Sequence, residues 1–199
     1  CYHLYQYSDI DFIDNSAIKD NIVISYLGNL GVDRHKPLIE IANTLGEINP
    51  TFRLDVYGKP SELVKEEFDK CEFINLKGFI PYEEVINVIH SSSLLIHAES
   101  NDKFWNRDLK YAFSTKISDS VCSGTPFLMY ACPELAGIKF LIDKKCAFVA
   151  TTHEMLKETL NDALFNFDLR KEFVKNAKIV KEDYFTNNGK FKEIVEGLL

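Results

Sequence analysis

Short apolar runs alternate with amphipathic segments along most of the chain. Continuous apolar runs of this length are typical of buried parallel strands, and segments with apolar residues three and four positions apart are typical of helices that cover a sheet. The segment after the first run, for example, places Leu38, Ile41, Ala42 and Leu45 on one helical face. The runs predict six strands, at residues 21–28, 53–58, 73–78, 94–99, 126–131 and 146–150.

Turn and capping residues divide these elements from one another. Gly124 and Pro126 separate the fifth strand from the helix before it, and Thr151 with Glu154 has the pattern of a capping box that starts the next helix. A polar loop of about a dozen residues follows the fourth strand, and the chain from Asp168 onward is predicted to be helical. Because strand and helix alternate with right-handed crossovers, we predict an α/β fold, a doubly wound parallel sheet of the Rossmann-like type.

The composition is that of one globular domain. The 199 residues are 46% hydrophobic and 27% charged, which is enough for one well-buried core. Lys and Arg number 23 against 30 Asp and Glu, so the net charge is -7. A protein surface that binds the phosphate backbone of a nucleic acid needs clustered basic residues. The acidic net charge therefore disfavours nucleic acid as a partner. Any anion site has to be local.

The cysteine pattern and the length of the apolar runs indicate the cellular compartment in which the protein is expected. Five cysteines occur without a C-x-x-C pair or the spacing of a secreted scaffold, which predicts free thiols in a reducing compartment, three of them as plain core residues. The apolar runs are far shorter than a membrane span, and the first residues lack a signal-peptide core. These features favour the cytoplasm. The start at Cys1 suggests a piece of a longer protein.

Parallel sheets of this type bind ligands at the carboxyl ends of their strands. Gly, Ser, Thr and Lys are frequent in the segments at those ends, and these residue types let backbone amides and cations approach phosphate. Together the segments predict one anion-binding rim. Singly, Gly28 and Gly31 are also typical turn residues, and Ser114 or Thr115 is a typical N-cap. The segments are GNLGVDRHK, GKP, GFIP, ESNDKFW and FSTK.

The order of these motifs resembles a known family. ISYLGNLGVDRHKPLIEIANTL, LDVYG, INLKGFIPYEEVINVIHSSSLLIHAES and STKISDSVCSGTPFLMY are similar, in that order, to the C-terminal half of retaining glycosyltransferases of the group 1 type, which have the two-Rossmann GT-B architecture. In that family the C-terminal domain binds the nucleotide-sugar donor. The resemblance extends over about residues 21–185. It implies that residues 21–199 are the donor-binding domain and residues 1–20 an incoming segment from a missing N-terminal acceptor domain.

The resemblance implies roles for the helix that begins at FSTK. Ser114, Thr115 and the amide of Lys116 would hold the donor diphosphate, since a helix N-terminus presents unpaired N–H groups and a partial positive charge. Asp119 lies on the same helical face as Thr115 and would bind the ribose of the nucleotide. The plainer alternative for Asp119 is an exposed helical aspartate.

The remaining family positions lie after the first three strands. Arg34 and Lys36 correspond to a basic pair that would stabilise the charge on the departing diphosphate, although a solvated charge run is the alternative. The family often has an arginine directly after the first glycine, where this chain has Asn29. The implied donor-binding positions in these loops are Gly28, Asn29, Gly58, Phe79 and Ile80, the last two in the loop that reads the base.

One position departs from the family pattern. Many members have a second acid eight residues before the position of Asp119, and this chain has Tyr111 there. Glu99 is our candidate to compensate by reaching the sugar or a cation, and His97 points to the same side of its strand. A structural ion pair for Glu99 and a core position for His97 are the alternatives. Trp105 lies in the loop after this strand, which either closes over the sugar or is an ordinary surface loop.

Metal chemistry finds no support in the sequence. Asp9-x-Asp11 precedes the first strand, whereas the metal-binding D-x-D motif of other glycosyltransferases follows a strand inside the nucleotide fold. His and Cys residues lack zinc spacing, and no Walker lysine or nucleophile elbow occurs. The resemblance implies a site with neither a metal nor a cofactor besides the donor substrate.

The function implied by the resemblance is glycosyl transfer. The full protein would be a hexosyltransferase that transfers a sugar from a nucleoside diphosphate, with retention, to a glycan or glycolipid acceptor in bacterial surface polysaccharide assembly. The isolated domain would be inactive, and contact with the inner face of the membrane would come through the missing half. Two alternatives stay open: a non-catalytic module that binds a nucleotide or sugar phosphate, and a nucleotide-sugar 2-epimerase.

Overall fold

The structure, a computed structural model, describes residues 7–186 apart from the side chain of Asn106. Six strands form one sheet: β1 (Ile24–Leu27), β2 (Leu54–Tyr57), β3 (Ile74–Gly78), β4 (Leu94–Ala98), β5 (Phe127–Tyr130) and β6 (Phe148–Ala150). The helices are α1 (His35–Ile48), α2 (Glu62–Asp69), α3 (Tyr82–Ser91), α4 (Lys103–Leu109), α5 (Thr115–Ser123), α6 (Ala136–Lys144), α7 (His153–Phe165) and α8 (Phe167–Val180). A π-helical turn, Lys181–Phe185, follows α8.

All strand pairs in the sheet are parallel, and the strand order is β3-β2-β1-β4-β5-β6. The predicted doubly wound sheet is therefore confirmed. The chain builds outward from β1 in one direction and then returns to β4 on its other side. The topological switch point lies between β1 and β4, which is where such sheets bind ligands.

Alternate residues of the central strands enter two separate cores, one on each face of the sheet. Ile96 of β4 packs in the cluster that contains the apolar faces of α1 and α7, and its neighbour Leu95 packs in the cluster of α5 and α6. All five residues of β4 are buried. Burial on both faces explains why β4 and β5 are continuous apolar runs in the sequence.

Two local predictions were wrong. The polar loop after β4 contains α4, which begins because Asp102 accepts a hydrogen bond from the backbone N–H of Phe104 at 2.8 Å. The predicted capping box is not formed: Thr152 is the N-cap of α7 and makes no side-chain capping bond, while the Thr151 hydroxyl lies 3.5 Å from the sulfur of Met155. The final stretch of the predicted C-terminal helix, residues 187–199, lies outside the described residues.

The described part of the N-terminal segment packs along the domain without forming a helix or strand. Ile13 N–H donates to the carbonyl of Ser123 at 2.9 Å, and Ile10 is buried in the core. Gly124 ends α5 with φ +76°, and a side chain there would collide with the carbonyl of Ile13. Residues 7–16 are thus part of the packed body. Their origin as a segment from an absent domain stays a prediction.

Three of the four cysteines that the structure describes are buried core residues, in agreement with the sequence: Cys71, Cys122 and Cys146. All four are free thiols, and burial raises the pKa of Cys122 and of Cys146 to about 12. Across residues 7–186 no helix has both the length and the apolar character needed to span a bilayer.

Candidate donor site at the switch point

A cavity of about 480 Å³ opens at the carboxyl ends of β1, β2 and β3, on the α3 and α5 side of the sheet. We call it the switch-point cavity. Eight of the residues that the sequence analysis selected line it: Gly28, Asn29, Gly58, Phe79, Ile80, Thr115, Lys116 and Asp119. A second cavity of about 130 Å³ is lined by Arg34, Glu99 and Ser114, and His97 lines both cavities. Lys36 lines neither.

Two glycines bring the loops after β1 and β2 close together. A Cβ at Gly28 would lie 2.5 Å from Cε of Lys116, and a Cβ at Gly58 would collide with the carbonyl of Gly28. Neither glycine, nor Gly31, has a positive φ among the described residues. Glycine is therefore required at positions 28 and 58 because it leaves space for neighbouring groups to approach, and not because of a special backbone conformation.

The β1–α1 loop, residues 28–34, is held by short internal hydrogen bonds. The hydroxyl of Tyr26 donates to the carbonyl of Asn29 at 2.7 Å, and Oδ1 of Asn29 accepts from Gly31 N–H at 2.6 Å. Val32 and Asp33 then adopt left-handed backbone conformations, with φ of 51° and 55°. These two residues direct the chain into α1 with Arg34 at its start.

Lys116 extends from the first turn of α5 across Gly28 into the switch-point cavity. Burial, and secondarily the positive charge of Arg34, lower the pKa of its ammonium group. No described residue forms a hydrogen bond or an ion pair with that ammonium. Ser114 is the N-cap of α5 but makes no side-chain capping bond, so its hydroxyl is also free for a ligand. An unpaired cation beside a helix N-terminus is the arrangement that attracts an anion.

Asp119 lies one turn further along α5 and is half-buried at the wall of the switch-point cavity. Burial raises the pKa of its carboxyl group, and the nearby charge of Asp9 adds to the rise, while a hydrogen bond from Ser8 opposes it. Asp119 is therefore not the exposed helical aspartate of the plainer interpretation. Its carboxylate faces a cavity and has capacity to accept hydrogen bonds from a polyhydroxyl ligand.

Arg34 and Glu99 form a bidentate ion pair between the ends of β1 and β4. Nε of Arg34 donates to Oε2 of Glu99 at 2.8 Å and Nη2 donates to Oε1 at 3.1 Å. Burial alone would raise the pKa of Glu99, but its contacts with His97 and Arg34 outweigh burial and lower it. Nε2 of His97 lies 3.2 Å from Oε1 of Glu99 without hydrogen-bond alignment, and it has no other partner among the described residues.

Lys36 does not join Arg34 at either cavity. Its ammonium donates to Oδ2 of Asp33 at 2.9 Å, and 59% of the side chain is exposed. In this state Lys36 is a surface residue at the start of α1. Its role at the diphosphate stays a prediction.

Some lining residues were missed by the sequence analysis. Tyr57 and Lys59 flank Gly58 at the end of β2, and Tyr82 with Val85 and Ile89 forms one wall of the switch-point cavity. The spacing of Tyr82, Val85 and Ile89 places them on one helical face but does not show what that face contacts. Phe79 and Tyr82 are 79% and 60% exposed at the mouth, so two aromatic rings stand beside the opening. The periodic pattern of apolar residues in a sequence does not show whether a side chain points toward a cavity or toward the core.

Solved structures share this architecture. WaaG, a glycosyltransferase involved in lipopolysaccharide biosynthesis, aligns over 98% of this chain with a TM-score of 0.69 and 19% identity, and the alignment covers 55% of WaaG. The C-terminal domain of the group 1 glycosyl transferase LpcC from Francisella tularensis aligns over 83% of this chain and 87% of its own, with a TM-score of 0.60 and 14% identity. The chain has the fold of a GT-B C-terminal domain.

A third structure with this GT-B fold was solved with ligands. HepE from Anabaena, in complex with UDP and glucose, aligns over 90% of this chain and 48% of its own, with a TM-score of 0.65 and 14% identity. The chain thus spans about half the length of WaaG and HepE. No protein-family model and no curated protein sequence matches it. Within the described part of this GT-B domain, no three His, Cys, Asp or Glu side chains are grouped as metal ligands.

Proposed function

We propose that this chain is the donor-binding domain of a glycosyltransferase and that the switch-point cavity binds the nucleoside diphosphate of a nucleotide sugar. The observation that carries the proposal is the partly buried ammonium of Lys116, which has no hydrogen-bond partner among the described residues and lies beside the N-terminus of α5, in a cavity at the switch point of a parallel sheet. This arrangement favours the binding of an anionic ligand. The bound UDP of HepE, which has the same fold, supports a nucleoside diphosphate as that anion.

The other groups of the site suit the parts of such a ligand. Asp119 is proposed to accept hydrogen bonds from the ribose hydroxyls, and Phe79 and Ile80 to contact the base at the mouth. The free Ser114 hydroxyl and the first amides of α5 are proposed to hold the diphosphate with Thr115. Gly28, Asn29 and Gly58 would form the floor on which the ligand lies.

Transfer breaks the bond between the anomeric carbon of the sugar and the diphosphate, and the leaving diphosphate takes the electron pair. Fixed positive charge at that point stabilises the transition state. We propose Lys116 and Arg34 for this role, with Lys36 as a further cation that would have to leave Asp33. We further propose that the reaction proceeds without a metal and with retention of configuration.

The acceptor is proposed to be a glycan or a glycolipid of a surface polysaccharide pathway. Two neighbours support this class: WaaG is involved in lipopolysaccharide biosynthesis, and a Helicobacter pylori protein of the same fold is a cholesterol α-glucosyltransferase. Because the chain spans half the length of WaaG, we propose that an N-terminal domain supplies the acceptor site. We also propose that the protein acts in the cytoplasm, at the inner face of the membrane.

Calorimetry tests the proposal with the 199-residue chain and UDP, GDP, dTDP and ADP. We expect one of the four to bind at micromolar to millimolar strength and to raise the melting temperature, because only the folded chain has the site. Lys116→Ala should weaken that ligand at least about tenfold, whereas the exposed Lys175→Ala should not. Asp119→Ala should weaken the nucleoside diphosphate by about 1.5 to 3 kcal/mol and leave pyrophosphate binding unchanged. No binding of any of the four at millimolar concentration would refute the proposal.

Activity assays separate the alternatives. The chain alone should show no glycosyl transfer, because the acceptor site is proposed to lie in another domain. Isomerisation of a free UDP-sugar would instead identify a 2-epimerase. If the full-length protein binds the donor but neither transfers nor isomerises it, the domain is a non-catalytic binding module.

A further inference from the structure

Glu99 pairs with one edge of the Arg34 guanidinium. The Nε and Nη2 edge of the guanidinium is used, with distances of 2.8 and 3.1 Å to the two carboxylate oxygens. The side chains of Arg34 and Glu99 are only 17% and 6% exposed. A bidentate, poorly solvated pair of this kind is much stronger than a surface ion pair.

This pairing removes Arg34 from the switch-point cavity. Arg34 and Glu99 line the smaller neighbouring cavity, while Lys116 lines the switch-point cavity without a partner. The guanidinium edge that Glu99 occupies has the fork geometry that fits two oxygens of a phosphate. A diphosphate that approaches this Nε–Nη2 edge therefore competes with the Glu99 carboxylate for it.

Glu99 has an alternative partner if Arg34 leaves it. Nε2 of His97 is buried without a hydrogen bond and lies 3.2 Å from Oε1 of Glu99. A small rotation of either side chain would let Nε2–H donate to the carboxylate. The exchange of Arg34 from Glu99 to a ligand would thus not leave a buried carboxylate without a partner, which would be costly.

We propose that Glu99 is an internal competitor of the donor diphosphate for Arg34, and that this competition promotes release of the nucleoside-diphosphate product. Glu99 is then a positioning residue that acts through Arg34, and it does not bind the sugar. The inference rests on the proposed function, because it requires a diphosphate in the switch-point cavity. The ion pair then has a functional consequence. It weakens binding of the nucleoside-diphosphate product, while Arg34 remains close to the site.

The test compares Glu99→Gln with the wild-type chain, using whichever of UDP, GDP, dTDP or ADP the wild type binds. Removing the competing charge should tighten that nucleoside diphosphate about tenfold and slow its dissociation in stopped-flow measurements. The affinity for the corresponding nucleoside, which lacks phosphate, should not change. In an Arg34→Gln background the Glu99 substitution should give no gain, because the contested cation is absent. Glu172→Gln, a substitution of an exposed glutamate on α8, is the matched control.

The outcomes separate this inference from the proposed function. If the wild type binds no nucleoside diphosphate, the proposed function fails and this inference fails with it. If the wild type binds but Glu99→Gln weakens or leaves unchanged that binding, only the competition is overturned. An equal gain in the Arg34→Gln background would also overturn it. Should Glu99→Gln not fold, Glu99→Asp, which shortens the carboxylate and disturbs the bidentate pair, should show a smaller gain of the same sign, and no gain would again overturn the inference.

Discussion

Burial and the charge of Arg34 lower the pKa of the Lys116 ammonium, and the carboxylates of Glu99 and Asp119 oppose this lowering only in part. The side chain passes over Gly28 after β1, where the missing Cβ leaves space for it, and it ends at the switch-point cavity, partly buried. A diphosphate placed there would stabilise the charged form of the ammonium and raise its pKa. Ligand binding and protonation of Lys116 are therefore linked.

The linkage predicts a pH dependence of affinity. A bound diphosphate raises the pKa of Lys116, so above the lowered pKa of the free chain binding has to take up one proton. Affinity for the nucleoside diphosphate should accordingly fall as pH rises above the lowered pKa of Lys116, by at most about tenfold per pH unit. Calorimetry in two buffers of different ionisation enthalpy would measure the proton uptake. Lys116→Met should abolish both the slope and the uptake, and Lys175→Ala should retain them. A flat profile in the wild type would remove Lys116 from the diphosphate.

For single residues, the sequence predicts which side chains near each other along the chain act together, but it does not predict contacts between residues far apart in the chain. Ser114, Thr115 and Lys116 were predicted to share one helix start because they are consecutive, and the phase of α5 places Asp119 on the same wall. The pair of Arg34 with Glu99 spans 65 positions. Both were expected at the same edge of the sheet, but their contact depends on β1 and β4 being adjacent, and no local pattern contains that information.

The β1–α1 loop is the element that sets the geometry of the site. The glycines of its sequence suggested where the backbone would turn, yet the left-handed residues are Val32 and Asp33. A β-branched residue is strained in that conformation, at a cost of about 1 to 2 kcal/mol. The sequence analysis could not find this, because the loop is bound at both ends by the sheet and α1, and their fixed positions override the preference of Val32.

Comparison of two substitutions at Val32 would measure the strain. Glycine removes the steric conflict of the left-handed backbone and alanine retains it, while both remove the valine methyl groups. We expect Val32→Gly to have a free energy of unfolding about 1 kcal/mol higher than Val32→Ala in urea denaturation. Equal stabilities, or a more stable alanine variant, would show that the backbone at residue 32 is relaxed.

The whole molecule is organised around one reversal of strand order. The six strands were predicted at the right places because a parallel strand buried on both faces needs a continuous apolar run. α4 was missed because capping by the Asp102 side chain starts it inside a polar loop, and the capping box predicted for α7 does not form because its N-cap is Thr152, which makes no side-chain capping bond. The order of the strands and the depth of the cavity between α3 and α5 follow from tertiary packing, and the sequence gives only their class.

The opposite end of the sheet is held by a buried arginine. Arg170 of α8 is 1% exposed and donates to backbone carbonyls from three parts of the chain: Asn15, Ser16 and Ala17 of the N-terminal segment, Ser93 before β4, and Ala163 of α7. Burial lowers the pKa of its guanidinium to about 10, so it remains charged at neutral pH. These contacts join the first described residues to the body of the domain.

Arg170→Met should separate stability from ligand binding. Methionine fills most of the volume but donates no hydrogen bond, which leaves the buried carbonyls of Ser16, Ser93 and Ala163 and the part-buried carbonyls of Asn15 and Ala17 without this donor. We expect the free energy of unfolding to fall by about 3 kcal/mol or more, because each bond from a charged donor contributes about 1.5 to 3 kcal/mol. Below the new melting temperature, affinity for the nucleoside diphosphate should be unchanged, since Ser93 precedes β4 and the site lies beyond the other end of that strand. Arg107→Met, at a side chain that is 75% exposed, is the control and should change neither quantity. A loss of less than about 1 kcal/mol would mean that water replaces the guanidinium at these carbonyls.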